Sequence, residues 1–234
     1  MSHLKYTNPA LQSLQSLHSI FERNLQYWKK EYPSVRAIEI PNKDFLYRQG
    51  DRCTDFFLVK EGIIKLSCLT LQGNALTLAL LGQGDLTGCI HNDSANPTMD
   101  ESAQALGNAV CYRIGHDDFR QLISSRTDLA WLIFQLMHTR QRRIEQKLRT
   151  ILTDSVEQRI VATLLELAQL FGVRCTHGYS LEIFLTQQEL ADLVSASRSV
   201  VSTIMNDFRN RGFLEYTREQ ICINDAALLL MQFS

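Results

Sequence analysis

The chain has 234 residues, of which 45% are hydrophobic and 21% are charged, and its formal net charge is -1. This length allows two modest domains with their own cores, and this hydrophobic content excludes global disorder. The near-neutral charge excludes a non-specific nucleic-acid coat protein. Neither an apolar run of about 18 residues nor a signal peptide is recognisable, so we expect a cytoplasmic protein without a membrane partner.

The cysteines are dispersed along the chain without a CxxC pair. This pattern predicts no compact zinc or iron–sulfur motif, and no metal site is expected. Isolated cysteines in a cytosolic chain are usually small buried hydrophobes, and a redox-sensing role is the alternative. The sequence also lacks HExxH, GxSxG and Walker motifs, so we do not expect an enzyme. The six cysteines are Cys53, Cys68, Cys89, Cys111, Cys175 and Cys222.

Residues 1–36 are predicted to form a helical N-terminal arm. Apolar residues from Leu11 to Trp28 recur at helical spacing, and Pro33 closes the segment. We expect this arm to cover the following domain, and binding of a partner is the alternative.

Residues 37–125 change to short apolar runs separated by glycine-containing turns such as 61–62, 72–74 and 82–85. Regular spacing of such runs predicts an antiparallel jelly roll, whose interior could hold one small ligand. A glycine-rich stretch in this region, 84–88, could offer backbone N–H groups to an anion, and a plain polar loop is the alternative. The strand-like runs are 37–40, 44–47, 56–59, 63–66, 75–81 and 109–114.

Residues 126–153 are predicted to form one long helix with a dimerisation seam. Apolar residues recur about every 3.5 positions, with polar breaks at Arg140 and Lys147. A seam needs a partner, and a two-fold homodimer is the commonest solution. Packing of the helix on its own domain is the alternative. The predicted seam consists of Leu129, Ile133, Leu136, Arg140, Ile144, Leu148 and Ile151.

Residues 154–234 are predicted to form a winged helix-turn-helix domain after a hinge at 153–155. Thr186 and Glu189 make a capping box, 194–196 form a tight turn, and Ser197 caps a second helix. A strand is expected at 181–184, two wing strands at 214–216 and 221–223, and a short last helix at 224–231.

The second helix of this domain, 197–209, has two different faces. Val201, Ile204 and Phe208 are expected to face inward. The opposite face is polar and not acidic, which suits a helix that reads base edges in the major groove of DNA. An ordinary helical hairpin with a solvated face is the alternative. The polar face carries Arg198, Ser199, Ser202, Thr203 and Asn206.

The order of these parts resembles the bacterial Crp/Fnr transcription factors over roughly residues 37–224. Residues 48–88 are similar to the family's cyclic-nucleotide-binding-like roll, and residues 185–216 are similar to its DNA reader. The resemblance implies an α+β fold with an N-terminal antiparallel β jelly roll, a long dimerisation helix and a C-terminal winged helix-turn-helix. It also implies double-stranded DNA, a second copy of the chain and RNA polymerase as partners.

The resemblance assigns DNA contacts residue by residue. Arg198 matches the family's base-reading arginine, which can donate two hydrogen bonds to guanine. Ser199 and Thr203 stand where many members have glutamate and arginine, so we expect a different half-site sequence. Contacts to phosphates and the groove edge are expected from Thr186, Gln187 and Gln188, and contacts inside the groove from Ser197, Arg198, Ser199, Ser202 and Thr203.

The effector region departs from the members that bind cyclic AMP. Glu101-Ser102 replaces their Arg-Ser, Gly88-Cys89 replaces Gly-Glu, and the hydroxyl pair on the long helix falls at Ile144-Glu145. An acid in place of the arginine would repel a cyclic phosphate, so we expect no cyclic AMP. The absence of cysteine from 1–36 removes the family's iron–sulfur sensor, and no cofactor is expected. The candidate effector pocket consists of Gly84, Asp85, Leu86, Thr87, Gly88, Cys89, Glu101, Ser102 and Ile144.

Two functions therefore follow from the sequence. The first is a dimeric, sequence-specific DNA-binding regulator whose roll senses an unknown small molecule or none. The second is a ligand-binding protein-interaction module whose reader no longer binds DNA. The second is suggested by the charge of residues 186–219, which contain four arginines against five acidic residues.

Overall fold

The computed structural model describes residues 17–70, 73, 75–88, 97–217 and 220–224. The chain forms two compact units. Unit 1 comprises Met1–Ile64 and Leu80–Ile144, and unit 2 comprises Lys65–Ala79 and Glu145–Ser234. Cys89, residues 225–231 of the predicted last helix and the beginning of the arm lie outside the described residues, and Asn224, where that helix was expected to begin, is in a strand.

The N-terminal half contains a six-stranded antiparallel sheet in which β6 pairs with both β1 and β2, and β3 pairs with both β4 and β5. Many side chains of β3 and β6 are buried, including five consecutive residues of β3 from Asp55 to Val59. Neighbouring residues of a strand point to opposite faces, so both faces of β3 are covered there. The predicted antiparallel roll is confirmed. Its strands are β1 (Arg36–Ile40), β2 (Phe45–Tyr47), β3 (Asp55–Leu69), β4 (Ala75–Leu81), β5 (Leu86–Thr87) and β6 (Ser102–Gly115).

Strand β3 corrects one sequence prediction. A turn was expected at Glu61-Gly62, but the strand continues through both residues. Gly62 has φ +83°, and a Cβ atom there would lie 2.5 Å from the carbonyl oxygen of Asn108. The glycine therefore allows close approach of β6 within a continuous strand, which is a second common use of glycine besides turns.

The described part of the arm belongs to the core of unit 1. Residues 17–23 and helix α1 (Leu25–Glu31) are helical. Phe21 and Trp28 are each about 2% exposed or less, and their rings stack at 5.7 Å between centroids. Tyr112 of β6 packs on Phe21 and donates a hydrogen bond from its hydroxyl to Glu22. Burial of such aromatic residues gives the arm a structural role in this unit.

The long helix corrects the predicted seam. After α2 (His116–Ser125), α3 runs from Thr127 to Thr153. Leu129 and Leu136 are 0% and 5% exposed and belong to the core of unit 1, and Ile133 packs against the same core. Leu129 and Leu136 therefore cannot face a partner, because the first half of the helix already uses that face within its own unit, and Ile133 is partly buried on the same side. The apolar residues that are exposed on α3 are Trp131, Phe134, Met137, Ile144, Leu148 and Leu152.

Unit 2 contains the predicted helix-turn-helix and wing. Helix α4 begins after the expected hinge, with Ser155 as N-cap in a capping box with Gln158. The strand expected at 181–184 lies earlier, at Gly178–Leu181. This strand, β8, pairs with β7 and β10 in a four-stranded sheet. The elements are α4 (Val156–Phe171), β7 (Val173–Cys175), β8 (Gly178–Leu181), α5 (Gln187–Val194), α6 (Arg198–Asn210), β9 (Leu214–Tyr216) and β10 (Ile221–Asn224).

The described residues contain no helix that is long and apolar enough to cross a membrane. Within the same part of the chain, no group of three histidine, cysteine or acidic residues is arranged to hold a metal ion. Burial raises the pKa of the free Cys111 thiol to about 12, which makes it unreactive. Cys53, in contrast, is disulfide-bonded, which the dispersed cysteine pattern did not predict.

Candidate functional site

Helix α5 begins with the predicted capping box. Thr186 accepts a hydrogen bond from the backbone N–H of Glu189 at 3.1 Å, and Glu189 Oε2 accepts one from the backbone N–H of Thr186 at 2.9 Å. Two N–H groups that a helix start leaves unpaired are thereby satisfied. Thr186 and Gln188 are exposed and Gln187 is half-buried, so these three candidate phosphate contacts lie together at the beginning of the helix.

The turn between α5 and α6 is held from outside the motif. Ser195 has φ +53°, and Ala196 donates its backbone N–H to Ala191 at 3.0 Å. Arg159 of α4 donates from one guanidinium nitrogen to the carbonyl oxygens of Val194 at 2.9 Å and Ser195 at 3.3 Å. A cation at these last carbonyls opposes the negative end of the helix dipole.

Helix α6 buries one face in the domain. Ser197 caps the helix by accepting from the backbone N–H of Val200 at 3.4 Å. Val201 and Phe208 are buried as predicted, whereas the third fully buried residue is Met205. Ile204 is only partly buried, because the i, i+4, i+7 row faces the core here and not the i, i+3, i+7 row.

The opposite face of α6 carries the predicted groove residues. Arg198, Ser199, Thr203 and Asn206 are exposed, and Ser202 is half-buried. Short hydroxyl side chains are arranged locally: Ser197 Oγ lies 3.0 Å from Ser199 Oγ, and Thr203 Oγ1 donates to the carbonyl of Ser199 at 3.0 Å. Among the described residues Arg198 has no ion pair, so its guanidinium is free to donate to a base edge.

Arg211, a further cation of the reader, is partly neutralised by two acidic residues. Arg211 lies 3.0 Å from Asp207 and 3.8 Å from Glu157. These pairs are exposed and contribute little to stability, but they reduce the positive potential near the groove face.

Two of the predicted effector residues are joined by a residue that the sequence did not single out. The Tyr47 hydroxyl lies 2.5 Å from Thr87 Oγ1 and donates to Glu101 Oε1 at 3.1 Å. Burial raises the pKa of Tyr47, so it stays a neutral phenol. Only the pairing of β2 with β6 brings Tyr47 to this place, and no local pattern in the sequence indicates it.

The glycine stretch does not form the predicted anion nest. The backbone N–H groups of Gly84 and Asp85 already donate to the carbonyls of Val59 and Gly82, at 2.9 Å and 3.0 Å. Burial raises the pKa of Asp85, and its carboxyl group accepts a hydrogen bond from the backbone N–H of Gly82. An anion would find those two N–H groups occupied and a carboxyl group beside them.

Three other predicted effector residues have contacts or burial of their own within the fold. Leu86 is buried, Gly88 packs against Phe56, and Ser102 accepts from the backbone N–H of Gln49 at 2.9 Å. Ile144 is 53% exposed on α3. Cys89 lies outside the described residues.

A different space opens inside unit 1, with a volume of about 240 Å³. Asp55 and Arg113 form its charged wall through a 2.6 Å ion pair, and Thr54 donates to the same carboxylate at 2.6 Å. Burial raises the pKa of Asp55, but the two hydrogen bonds outweigh it and hold the pKa below its usual range. The other lining residues are Ile38, Leu46, Tyr47, Asp51, Arg52, Phe57 and Met99.

Each half of the chain matches a known domain family. Residues 37–126 match the cyclic nucleotide-binding domain, and residues 158–231 match the Crp-like helix-turn-helix domain. The anaerobic regulatory protein of Bacillus subtilis is 26% identical over 170 residues, which is 73% of this chain and 71% of that protein. The CRP-like cAMP-activated global transcriptional regulator of Mycobacterium tuberculosis is 24% identical over 195 residues, covering 83% and 87%.

Solved structures show the same fold. The structure of FixK2 from Bradyrhizobium japonicum has a TM-score of 0.73 at 14% identity and covers 85% of this chain and 96% of that chain. At this identity the likeness concerns the fold and not the ligand.

Proposed function

The chain belongs to the Crp/Fnr family of transcription regulators, since the two domain matches together cover more than half of it, and from this premise we propose its specific mode of action. It acts as a dimer that binds a defined DNA sequence, with α6 in the major groove. The observation that carries the proposal is the polar face of α6, on which Arg198 is exposed and has no ion pair among the described residues. A helix of this kind can distinguish base pairs by hydrogen bonding.

Dimer formation is proposed through the exposed apolar face of α3. Trp131 and Phe134 are each 62% exposed and stack on each other at 5.7 Å between ring centroids. Further along the helix, Ile144, Leu148 and Leu152 are 53%, 57% and 75% exposed. Large apolar side chains at helical spacing on one long helix favour a partner helix of the same kind. A two-fold pair would present two copies of α6 to successive major grooves.

The signal that controls DNA binding is proposed to be something other than cyclic AMP, or no small molecule. The CRP-like relative of Mycobacterium tuberculosis is named as cAMP-activated. In this chain Glu101 stands where such members have the arginine, and its carboxylate accepts from Tyr47. A carboxylate at that position disfavours a cyclic phosphate.

Selection of bound sequences from a random DNA pool, without added ligand and at fixed salt, tests the proposal. A two-fold symmetric motif with half-sites about one helical turn apart supports a dimeric regulator that needs no effector. If no sequence is enriched, the selection is repeated with metabolite extracts. A second failure would favour the alternative, a protein-interaction module whose reader no longer binds DNA. The low positive charge of the reader suggests this alternative.

A further inference from the structure

A lysine far from the helix-turn-helix in sequence is bound to its first helix in space. Lys65 belongs to the distal part of the β3–β4 hairpin, residues 65–79, which is part of unit 2. Its ammonium nitrogen lies 3.1 Å from Glu189 Oε1 and donates a hydrogen bond to it. The side chains are only 13% and 19% exposed, so water screens this pair less than an exposed surface pair.

Glu189 already has a task at the start of α5. Its other carboxylate oxygen, Oε2, accepts from both the backbone N–H and the hydroxyl of Thr186, each at 2.9 Å. One carboxylate therefore joins the hairpin lysine to the N-cap residue of the helix. Burial alone would raise the pKa of Glu189, but the bonds from Thr186 and the charge of Lys65 lower it, so the group stays ionised.

The same part of the hairpin is also bonded to α3, within unit 2. Lys147 of α3 donates to the carbonyl oxygen of Thr77 on β4 at 2.9 Å. Lys147 is partly buried, and burial lowers its pKa. Lys65 is thus presented to Glu189 by a hairpin that is itself held, which favours one geometry of the ion pair over many.

We propose that Lys65 is a positioning residue for DNA binding, which holds the first turn of α5 through Glu189 without touching DNA itself. The candidate phosphate contacts Thr186, Gln187 and Gln188 lie in and next to this turn. Phosphate contacts fix the register of a protein on the duplex, so a loosened first turn weakens binding. A lysine whose ammonium is bound by a carboxylate releases no counterion from DNA.

The test compares Lys65→Met with a matched control in the full-length chain. Lys60→Met is the control, because it removes one positive charge from the same strand, where Lys60 lies 3.6 Å from Glu22 and 3.8 Å from Glu61. Binding to the duplex found by selection is measured by fluorescence anisotropy at several salt concentrations. Each substitution is also made in a Glu189→Gln background, and Lys65→Arg serves as the conservative variant. Hydrogen exchange of the first turn of α5 gives an independent measure of its order.

The expected result has three parts. Lys65→Met weakens binding by about tenfold with an unchanged salt slope, whereas Lys60→Met has little effect. In the Glu189→Gln background the effect of Lys65→Met disappears, and Lys65→Arg retains most of the affinity. The amides of Glu189 and Leu190, which are hydrogen-bonded to Thr186, exchange faster in Lys65→Met than in Lys60→Met.

Other results would overturn the inference. A salt slope lower by about one unit, together with a loss that persists beside Glu189→Gln, would make Lys65 a direct phosphate contact. Equal behaviour of the two methionine variants, or tighter binding by Lys65→Met, would remove any positioning role. The inference rests on the proposed DNA binding, and the two failures are distinguishable: if the unmodified chain binds no selected duplex, the proposed function fails before Lys65 is tested.

Discussion

Replacement of Arg159 by alanine is the sharpest test of how the reader is held. Arg159 donates to the carbonyl oxygens of Val194 and Ser195, which are 35 and 36 residues away in the chain. A hydrogen bond from a charged donor contributes about 1.5–3 kcal/mol when it is well formed. The 2.9 Å bond to Val194 falls in this class, whereas the 3.3 Å bond to the exposed Ser195 adds little. Since Arg159 is only partly buried, we expect a net loss of about 2 kcal/mol.

This loss should be local, so the assay must be local as well. The chain has two compact units, and a single unfolding transition need not report on one turn. Hydrogen exchange at Ala196, whose N–H bonds to Ala191, measures opening of the turn directly. A loss of about 2 kcal/mol corresponds to roughly 30-fold faster exchange there. DNA affinity should fall in parallel, because α5 and α6 lose their fixed orientation.

Two controls separate this mechanism from simple loss of charge. Arg149→Ala removes an exposed arginine of α3 and should leave the turn unchanged. Arg159→Lys keeps the charge but not the planar donor group, and should show an intermediate effect. If the Ala196 amide exchanges at the same rate in Arg159→Ala and in Arg149→Ala, Arg159 does not hold the turn.

Three further outcomes are expected. Arg198→Ala should weaken binding by roughly 1–3 kcal/mol and relax the preference at one base pair of each half-site, and an unchanged preference in a repeated selection would remove its base-reading role. Phe134→Glu should convert dimers into monomers in sedimentation experiments, because it places a charge on the exposed face of α3, and a mass that stays dimeric would exclude that face. Asp55→Asn should destabilise unit 1 at pH 6. The pKa of Asp55 is lowered in the folded state, so its contribution is present above the unfolded pKa of about 3.9 and is lost as pH falls through the folded pKa. The gap between variant and parent unfolding midpoints should therefore narrow in acid, and parallel curves would contradict this.

Much of the DNA reader could be predicted from the sequence because its signals are local. A capping box spans four residues, and the Thr186–Glu189 pair is present as predicted. The apolar spacing of α6 gave its buried side to within one residue, with Met205 in place of Ile204. The wing strands were also found, since short apolar runs beside a polar turn form a hairpin by local pairing.

Sequence patterns whose meaning depends on a distant packing surface predicted less of the structure. The apolar repeat in α3 predicted a buried face correctly, but the repeat cannot say what covers it. Leu129 and Leu136 are covered by the chain's own core, and only packing leaves Phe134 and Leu148 exposed. In the same way, the local pattern at Gly62 predicts a turn, because a linear pattern does not show the close approach of β6.

The sequence by itself therefore determined the kinds of elements, their order and the polar face that can meet DNA. Tertiary structure alone decided which distant side chains hold that face in place. Arg159 and Lys65 lie 35 and 124 residues from their partners, and neither has a local motif. Helix caps and turns are fixed by neighbours along the chain, whereas an ion pair or a brace of this kind exists only once the backbone has brought both partners within hydrogen-bonding distance.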